Sequence, residues 1–228
     1  MAVALITGAS RGFGRAVARS LALDGWSLVL DARGAPALAL VTTEVAELTD
    51  VRGIAGDVTE AWHRERLVAE ADALGGLDLL VNNASELGPS PQPALAAYPL
   101  DVLRSVYEVN VVAPLALTQI ALPLLRASHG TIVNVTSDAA REPYEGWGGY
   151  GSSKAALEQW GNILGAEEPD VRVYTFDPGD MRTQMHQEAF PGEDISDRPE
   201  PEVVVPSLRR LLSERPVSGR FAASELVR

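Results

Sequence analysis

The chain has 228 residues, which at about 100–200 residues per domain makes one large α/β domain or two small ones. Its 46% hydrophobic and 22% charged residues exclude disordered and collagen-like chains and supply a sizeable core. A net charge of −12 with no basic run argues against nucleic acid as a partner, and zero cysteines exclude disulfides, thiolate metal sites and cysteine nucleophiles.

In chain order, the opening MAVALITGAS lacks a charged leader, and its apolar run is too short for a signal sequence. It reads as a buried strand over residues 2–7. Strand-length apolar runs follow at 27–32, 51–55, 77–81, 130–136, 171–176 and, weakly, 220–223. The first six are apolar almost throughout, the pattern of strands covered on both faces. Helical spacing of apolar residues marks 13–23, 35–48, 61–74, 100–126 and 150–165. Pro114 and Pro123 imply that the fourth segment is two helices or one kinked helix. Asp57 and Thr59 precede the third helix, where Asp57 is a candidate N-cap.

The β-α-β-α succession, with strands roughly 25 residues apart, predicts an α/β fold. The expected form is a Rossmann-type doubly wound parallel β-sheet with helices on both faces, in a single domain of residues 1–228. Residues 88–99, with four prolines, and 186–206, rich in Pro, Asp and Glu, break the rhythm. Both leave the C-terminal ends of strands, where such sheets bind ligands, so 181–206 is a candidate substrate loop. No run reaches the roughly 18 uninterrupted apolar residues of a membrane span, and a cytoplasmic location is expected.

Two constellations carry chemistry. Thr7-Gly8-Ala9-Ser10-Arg11-Gly12-Phe13-Gly14 lies between a strand and a helix. Glycines there bring backbone N–H groups against a diphosphate, and the helix end adds about half an elementary positive charge. Turn-forming glycines are the plainer alternative. The second is Tyr150-Gly-Ser-Ser-Lys154, with Ser137 upstream. At four-residue spacing Tyr150 and Lys154 share a helix face with Cβ atoms about 5–6 Å apart. A nearby ammonium lowers a phenol's pKa from ~10, so the tyrosine becomes an acid/base group. A surface aromatic–lysine pair is the alternative for that pair taken alone.

The ordered set TGASRGFG, Asp57-Val58, Asn82-Asn83-Ala84, Asn110, Ser137, YGSSK and Pro178-Gly179-Asp-Met181-Arg-Thr183 resembles the classical short-chain dehydrogenase/reductase family over nearly the whole chain. The resemblance implies an NAD(P)(H)-dependent oxidoreductase interconverting a ketone and a secondary alcohol. Tyr150 would be the general acid/base, and Lys154 would lower its pKa and hold the nicotinamide ribose. Ser137 would orient the substrate carbonyl, and Asn110 would position a water in a proton relay to Lys154. Gly8, Ser10, Arg11, Gly12, Phe13 and Gly14 would hold the diphosphate end of the cofactor. Asp57 and Val58 would meet adenine, and Asn83 and Ala84 would line a ribose, although Asn83 is equally a sheet-end hydrogen-bonding residue. Pro178, Gly179, Met181 and Thr183 would enclose the nicotinamide.

The sequence departs from the family at Ser85, where glycine is usual, and in Gly146-Trp147-Gly148-Gly149, which reads as a flexible approach to Tyr150. Trp147 either walls a substrate pocket or simply packs, and Asp180 has no assignable role. NADP(H) is favoured over NAD(H), because Ala32 stands where a carboxylate would accept from the ribose 2′-OH, and Arg33 and Arg11 suit a 2′-phosphate. A one-residue shift would make Asp31 the acidic determinant instead. The family implies a homodimer or homotetramer built through 100–126 and 150–165. The alternative function is a catalytically inactive NADP-sensing protein of the same fold. No metal is expected.

Overall fold

A computed structural model describes residues 1–226, so the expected domain of 1–228 runs two residues past the described chain. Within these residues seven strands form one sheet in the order β3-β2-β1-β4-β5-β6-β7, with every neighbouring pair parallel. They are β1 (Val3–Ile6), β2 (Ser27–Ala32), β3 (Val51–Ala55), β4 (Leu79–Asn82), β5 (Thr131–Val135), β6 (Arg172–Asp177) and β7 (Gly219–Ala222). The doubly wound fold is as expected, and the β2 and β3 bounds match the sequence reading. The intervening helices are α1 (Gly12–Leu23), α2 (Ala35–Ala46), α3 (Ala61–Ala73), α4 (Leu100–Tyr107), α5 (Ala113–Ala127), α6 (Gly148–Glu167), α7 (Gln184–Ala189), α8 (Pro201–Glu214) and α9 (Ala223–Leu226).

Side chains alternate across each strand, so one strand feeds two cores. Leu28 and Leu30 of β2 join the layer under α1, α2 and α8, whereas Val29 joins the layer under α3 and α5. Each fully buried leucine contributes about 1.5–3 kcal/mol relative to exposure. The strand order turns back between β1 and β4, and the crevice beyond their C-terminal ends faces the glycine loop on one side and Asn83 on the other.

The helices add detail to the sequence reading and correct it over 186–206. The break in 100–126 falls at a widened helical turn, Glu108–Val112, that contains Asn110. Pro114 opens α5, and Pro123 stays inside it. The 186–206 segment is not all loop: α7 ends within it and α8 begins there. Pro201 and Pro206 hide the apolar spacing by which Val204, Val205, Leu208 and Leu211 bury one face of α8. Leu100–Ala127, 28 residues with an 18-residue window of mean hydropathy 1.5, is long and apolar enough to cross a membrane, yet half of that window is buried inside the fold. Leu117, Ala121 and Leu125 there pack against the sheet, as in the core helix of a globular domain.

The Gly148-Gly149 pair is packing, not flexibility. Both residues already belong to α6. A Cβ on Gly149 would clash with the Tyr98 ring, which is itself buried. Gly149→Ala is therefore expected to destabilise the chain by about 1–3 kcal/mol, the cost of overpacking a filled interior. Urea denaturation measures this, and an unchanged midpoint would show that the close approach is not needed.

Candidate active site

The C-terminal ends of β1, β2, β4, β5 and β6 open onto one cleft of about 1140 Å³. Gly8, Ser10, Arg11, Gly12, Phe13, Arg33, Asp57, Val58, Asn83, Ala84, Ser137, Tyr150, Lys154, Pro178, Gly179, Met181 and Thr183 all line it. Asn110 lies behind the wall, buried at the widened turn.

At one end the cleft is built for a diphosphate. Gly8 has φ +65°, a conformation L side chains rarely adopt, and a Cβ on Gly14 would lie 2.6 Å from the Gly8 carbonyl oxygen. No side chain caps α1, whose N-terminus points at this end of the cleft. Asn83 takes the sheet-end role: its Nδ2 donates to the Thr7 and Gly8 carbonyls at 2.8 and 3.1 Å and ties the glycine loop to β4. Phe13 is a core residue at the cleft wall, 4% exposed and stacked on Phe176 at 5.8 Å. These features fit a dinucleotide: a glycine loop of close backbone approach leads into an uncapped helix N-terminus, beside the exposed Arg11 and Arg33.

Further along this end, Asp31 does not face the cleft as a free acceptor. Strand alternation turns it toward α3 with Val29, and His63 Nε2 meets its carboxylate at 2.6 Å. Burial raises the Asp31 pKa, opposed by His63 and by the Gly8 N–H. Local pattern carries no sign of this buried pair, because His63 is 32 residues away. Arg33 is exposed at the cleft wall. Asp57 is not an N-cap: Glu60 holds that position. Burial would raise Asp57, but the Thr59 N–H and hydroxyl, with the charges of Arg33 and His63, bring it below the usual carboxylate range.

At the other end, α6 places Tyr150 and Lys154 one turn apart, with Lys154 Nζ 5.4 Å from the Tyr150 ring centroid. The ammonium donates to the Val135 carbonyl at 2.9 Å. Burial holds the Tyr150 phenol above its ordinary pKa, opposed by the Ser85 hydroxyl and reinforced by Asp177 and Asp138. Burial also pushes Lys154 down to about 7. The expected lowering of the phenol by Lys154 is therefore absent in the cofactor-free chain, since desolvation penalises both charged forms at once.

Ser137 caps the short turn Asp138–Ala140, accepting from the Ala139 N–H at 3.2 Å and donating to Asp138 Oδ1 at 2.9 Å. All four hydrogen-bonding positions of the Asn110 amide are taken. Its Oδ1 accepts from Ser85 Oγ (3.1 Å) and the Glu86 N–H (2.8 Å), while Nδ2 donates to the Glu86 carbonyl and Ser153 Oγ, each at 2.9 Å. Ser85 thus bridges Asn110 and Tyr150, more than the tolerated substitution its size suggests. Ser85→Gly removes the group that lowers the Tyr150 pKa. The pH profile of alcohol oxidation, which needs the phenolate, should move to higher pH; an unmoved profile would confine Ser85 to packing.

Behind Tyr150 a buried ionic network holds the Pro178-Gly179 turn. Glu158 Oε1 accepts from Thr136 Oγ1 at 3.0 Å and from Arg220 Nε at 2.9 Å, and Arg220 reaches Asp177 at 2.6 Å. Only a weak strand signal around Arg220 hinted at it. Asp180 gains a role in an ion pair with Arg198 at 3.3 Å, with the His186 ring 3.8 Å away, and these contacts fasten the loop before α7. Thr183 caps α7, accepting from the His186 N–H at 3.2 Å.

The short chain dehydrogenase family model matches residues 2–194. The chain belongs to the short-chain dehydrogenase/reductase family, whose members are oxidoreductases. It is 39% identical over 200 residues to sepiapterin reductase of Meriones unguiculatus, covering 82% of this chain and 76% of that one. Its fold superposes on a Pseudomonas syringae structure assigned to the short chain dehydrogenases with a TM-score of 0.90 at 33% identity, over 97% and 94% of the two chains. A Shigella flexneri relative complexed with NADP superposes with a TM-score of 0.88 at 30% identity, over 98% and 97%.

Proposed function

We propose that the chain is an NADP(H)-dependent reductase that interconverts a ketone and a secondary alcohol, with Tyr150 as the acid/base. The observation that carries this reading is that Tyr150, Lys154 and Ser137 line the same cleft as the glycine loop, at opposite ends of it. The bound nicotinamide supplies or accepts a hydride at the substrate carbon. The protein's own residues manage the oxygen.

In reduction, the Tyr150 hydroxyl donates its proton to the developing alkoxide. Its raised pKa keeps it protonated through neutral pH, the form that this direction requires. Ser137, its hydroxyl now turned to Asp138, swings to donate to the same oxygen and fixes the carbonyl's orientation. Lys154 leaves the Val135 carbonyl for the ribose hydroxyls, and there its charge offsets the phenolate left by proton transfer. With its amide saturated by Ser85, Glu86 and Ser153, Asn110 acts by holding these residues behind Tyr150. The outer faces of α5 and α6, where Val112 borders α5 and Ile163 lies in α6 with both half exposed, are the surfaces through which this reading has the chain self-associate.

Arg33, exposed beside Ala32, supports the preference for NADP(H), and Asp31, held by His63, is not free to accept from a ribose. Arg33→Ala should weaken NADPH by about 1.5–3 kcal/mol, the value of a charge-assisted hydrogen bond, and leave NADH nearly unchanged. Titration of both cofactors at one ionic strength tests it. Equal weakening of the two would remove Arg33 from 2′-phosphate recognition.

A further inference from the structure

The far half of the cleft carries a third apolar cluster, separate from the two layers that pack the sheet. Leu87, Ala139 and Tyr150 form it, with Trp147, Met185 and Ala189 against them. Trp147 is its centre: the indole lies 5.8 Å from the Tyr150 ring at 74°, 5.7 Å from Phe190 at 43° and 6.3 Å from Tyr144 at 65°. Tyr144 is fixed at its edge by donating to Asp138 Oδ2 at 2.9 Å. This arc of rings is packed on the buried cluster and also lines the cleft, with Trp147 and Phe190 half-buried and Tyr144 exposed at its rim. It ends on the hydroxyl that would protonate the substrate oxygen.

Charge is divided along the same cleft. Arg11, Arg15 and Arg33 follow β1 and β2, on the diphosphate side. Glu86, Asp138, Glu145 and Glu188 lie beyond β4 and β5, around the aromatic arc. Arg182 in that half pairs with Glu200, and Lys154, beside Tyr150, is tied to the Val135 carbonyl. An anionic group on the ring end of a substrate would meet the carboxylates around the arc.

We propose that the substrate is a ketone bearing an aromatic ring and no anionic group, with the ring on the Trp147 arc and the carbonyl at Tyr150. This rests on the reductase reading above. Offset or edge-to-face ring pairs at centroid separations of about 4.5–7 Å are favourable beyond their apolar area, which selects an aromatic ring over a saturated one of equal size. Fixed carboxylates act as negative selection against carboxylate-bearing ketones.

The test compares kcat/KM with NADPH for acetophenone and cyclohexyl methyl ketone, and for methyl 4-acetylbenzoate and 4-acetylbenzoate. Acetophenone should exceed its saturated counterpart by about three- to tenfold. Trp147→Leu, which stays apolar, should narrow that ratio. The ester should exceed the carboxylate by at least about tenfold, and Glu145→Gln with Glu188→Gln should narrow the gap. Calorimetry on NADP⁺-loaded protein should give the same order of affinities without turnover. A saturated ketone or a carboxylate handled as well as its partner overturns the substrate assignment and leaves the reductase reading standing. If none of the four ketones is reduced, both fall.

Discussion

Tyr150→Phe should lower ketone reduction by about 10²–10⁴-fold, the usual value of general acid–base catalysis, while leaving the fold and NADPH binding intact. The substitution removes one oxygen from a ring that is 8% exposed and wedged against Leu87 and Ala139, so the packing partners stay filled. That oxygen is the group that hands the proton to the substrate. In the cofactor-free chain the phenol's pKa is raised, so reduction should not decline with pH on its account until the pH passes the ordinary phenol range. Oxidation has the opposite requirement and should rise with pH. Steady-state kinetics on the parent and Tyr150→Phe across pH check these signs. Near-parental turnover in Tyr150→Phe would assign the proton to another group.

Lys154→Met should nearly abolish turnover and weaken the cofactor, yet stabilise the cofactor-free protein at low pH. Lys154 is 2% exposed, and burial brings its pKa from 10.5 to about 7. A buried ammonium costs free energy, and the folded state binds fewer protons than the unfolded one between pH 7 and 10.5. The cost is fully present below pH 7 and is relieved as the pH rises toward the unfolded value. The variant's stability advantage over the parent should therefore be largest below pH 7 and shrink above it. Thermal denaturation of the cofactor-free proteins at several pH values measures this. A variant less stable than the parent at pH 6 would mean that the bond to the Val135 carbonyl outweighs the burial cost.

Much of the scaffold was legible because parallel strands covered on both faces are apolar throughout, and helices between them keep their own spacing. Local pattern was enough to find Ser27–Ala32 and Val51–Ala55. It failed at Pro201–Glu214, where two prolines masked a helix whose buried face is set by contact with α1. It failed again at Gly148-Gly149, where the need for glycine comes from Tyr98, about 50 residues away in sequence and invisible to local rules.

The site followed the same division. Ordered motifs brought the glycine loop, Tyr150, Lys154 and Ser137 to one cleft as expected. What the motifs omitted are pairings between distant segments: Asp31 with His63, Ser85 with Asn110, and Arg220 with Glu158 and Asp177. The charge state of the Tyr150–Lys154 pair was also beyond reach. Spacing on a helix gives their proximity, but their burial decides which form each holds.

On the function proposed, the cleft moves hydrogen between a nicotinamide and a carbonyl carbon. Incubating the purified chain with acetophenone and NADPH deuterated at the nicotinamide C4, in each stereochemical form, measures it most directly. The result expected is 1-phenylethanol carrying deuterium on its carbinol carbon from one of the two labelled cofactors, with none from the other and about 10²–10⁴-fold less from Tyr150→Phe. Tight NADPH binding with no labelled alcohol from any ketone of the panel would contradict it, and would make the chain a cofactor-sensing protein that retains the residues of catalysis without performing it.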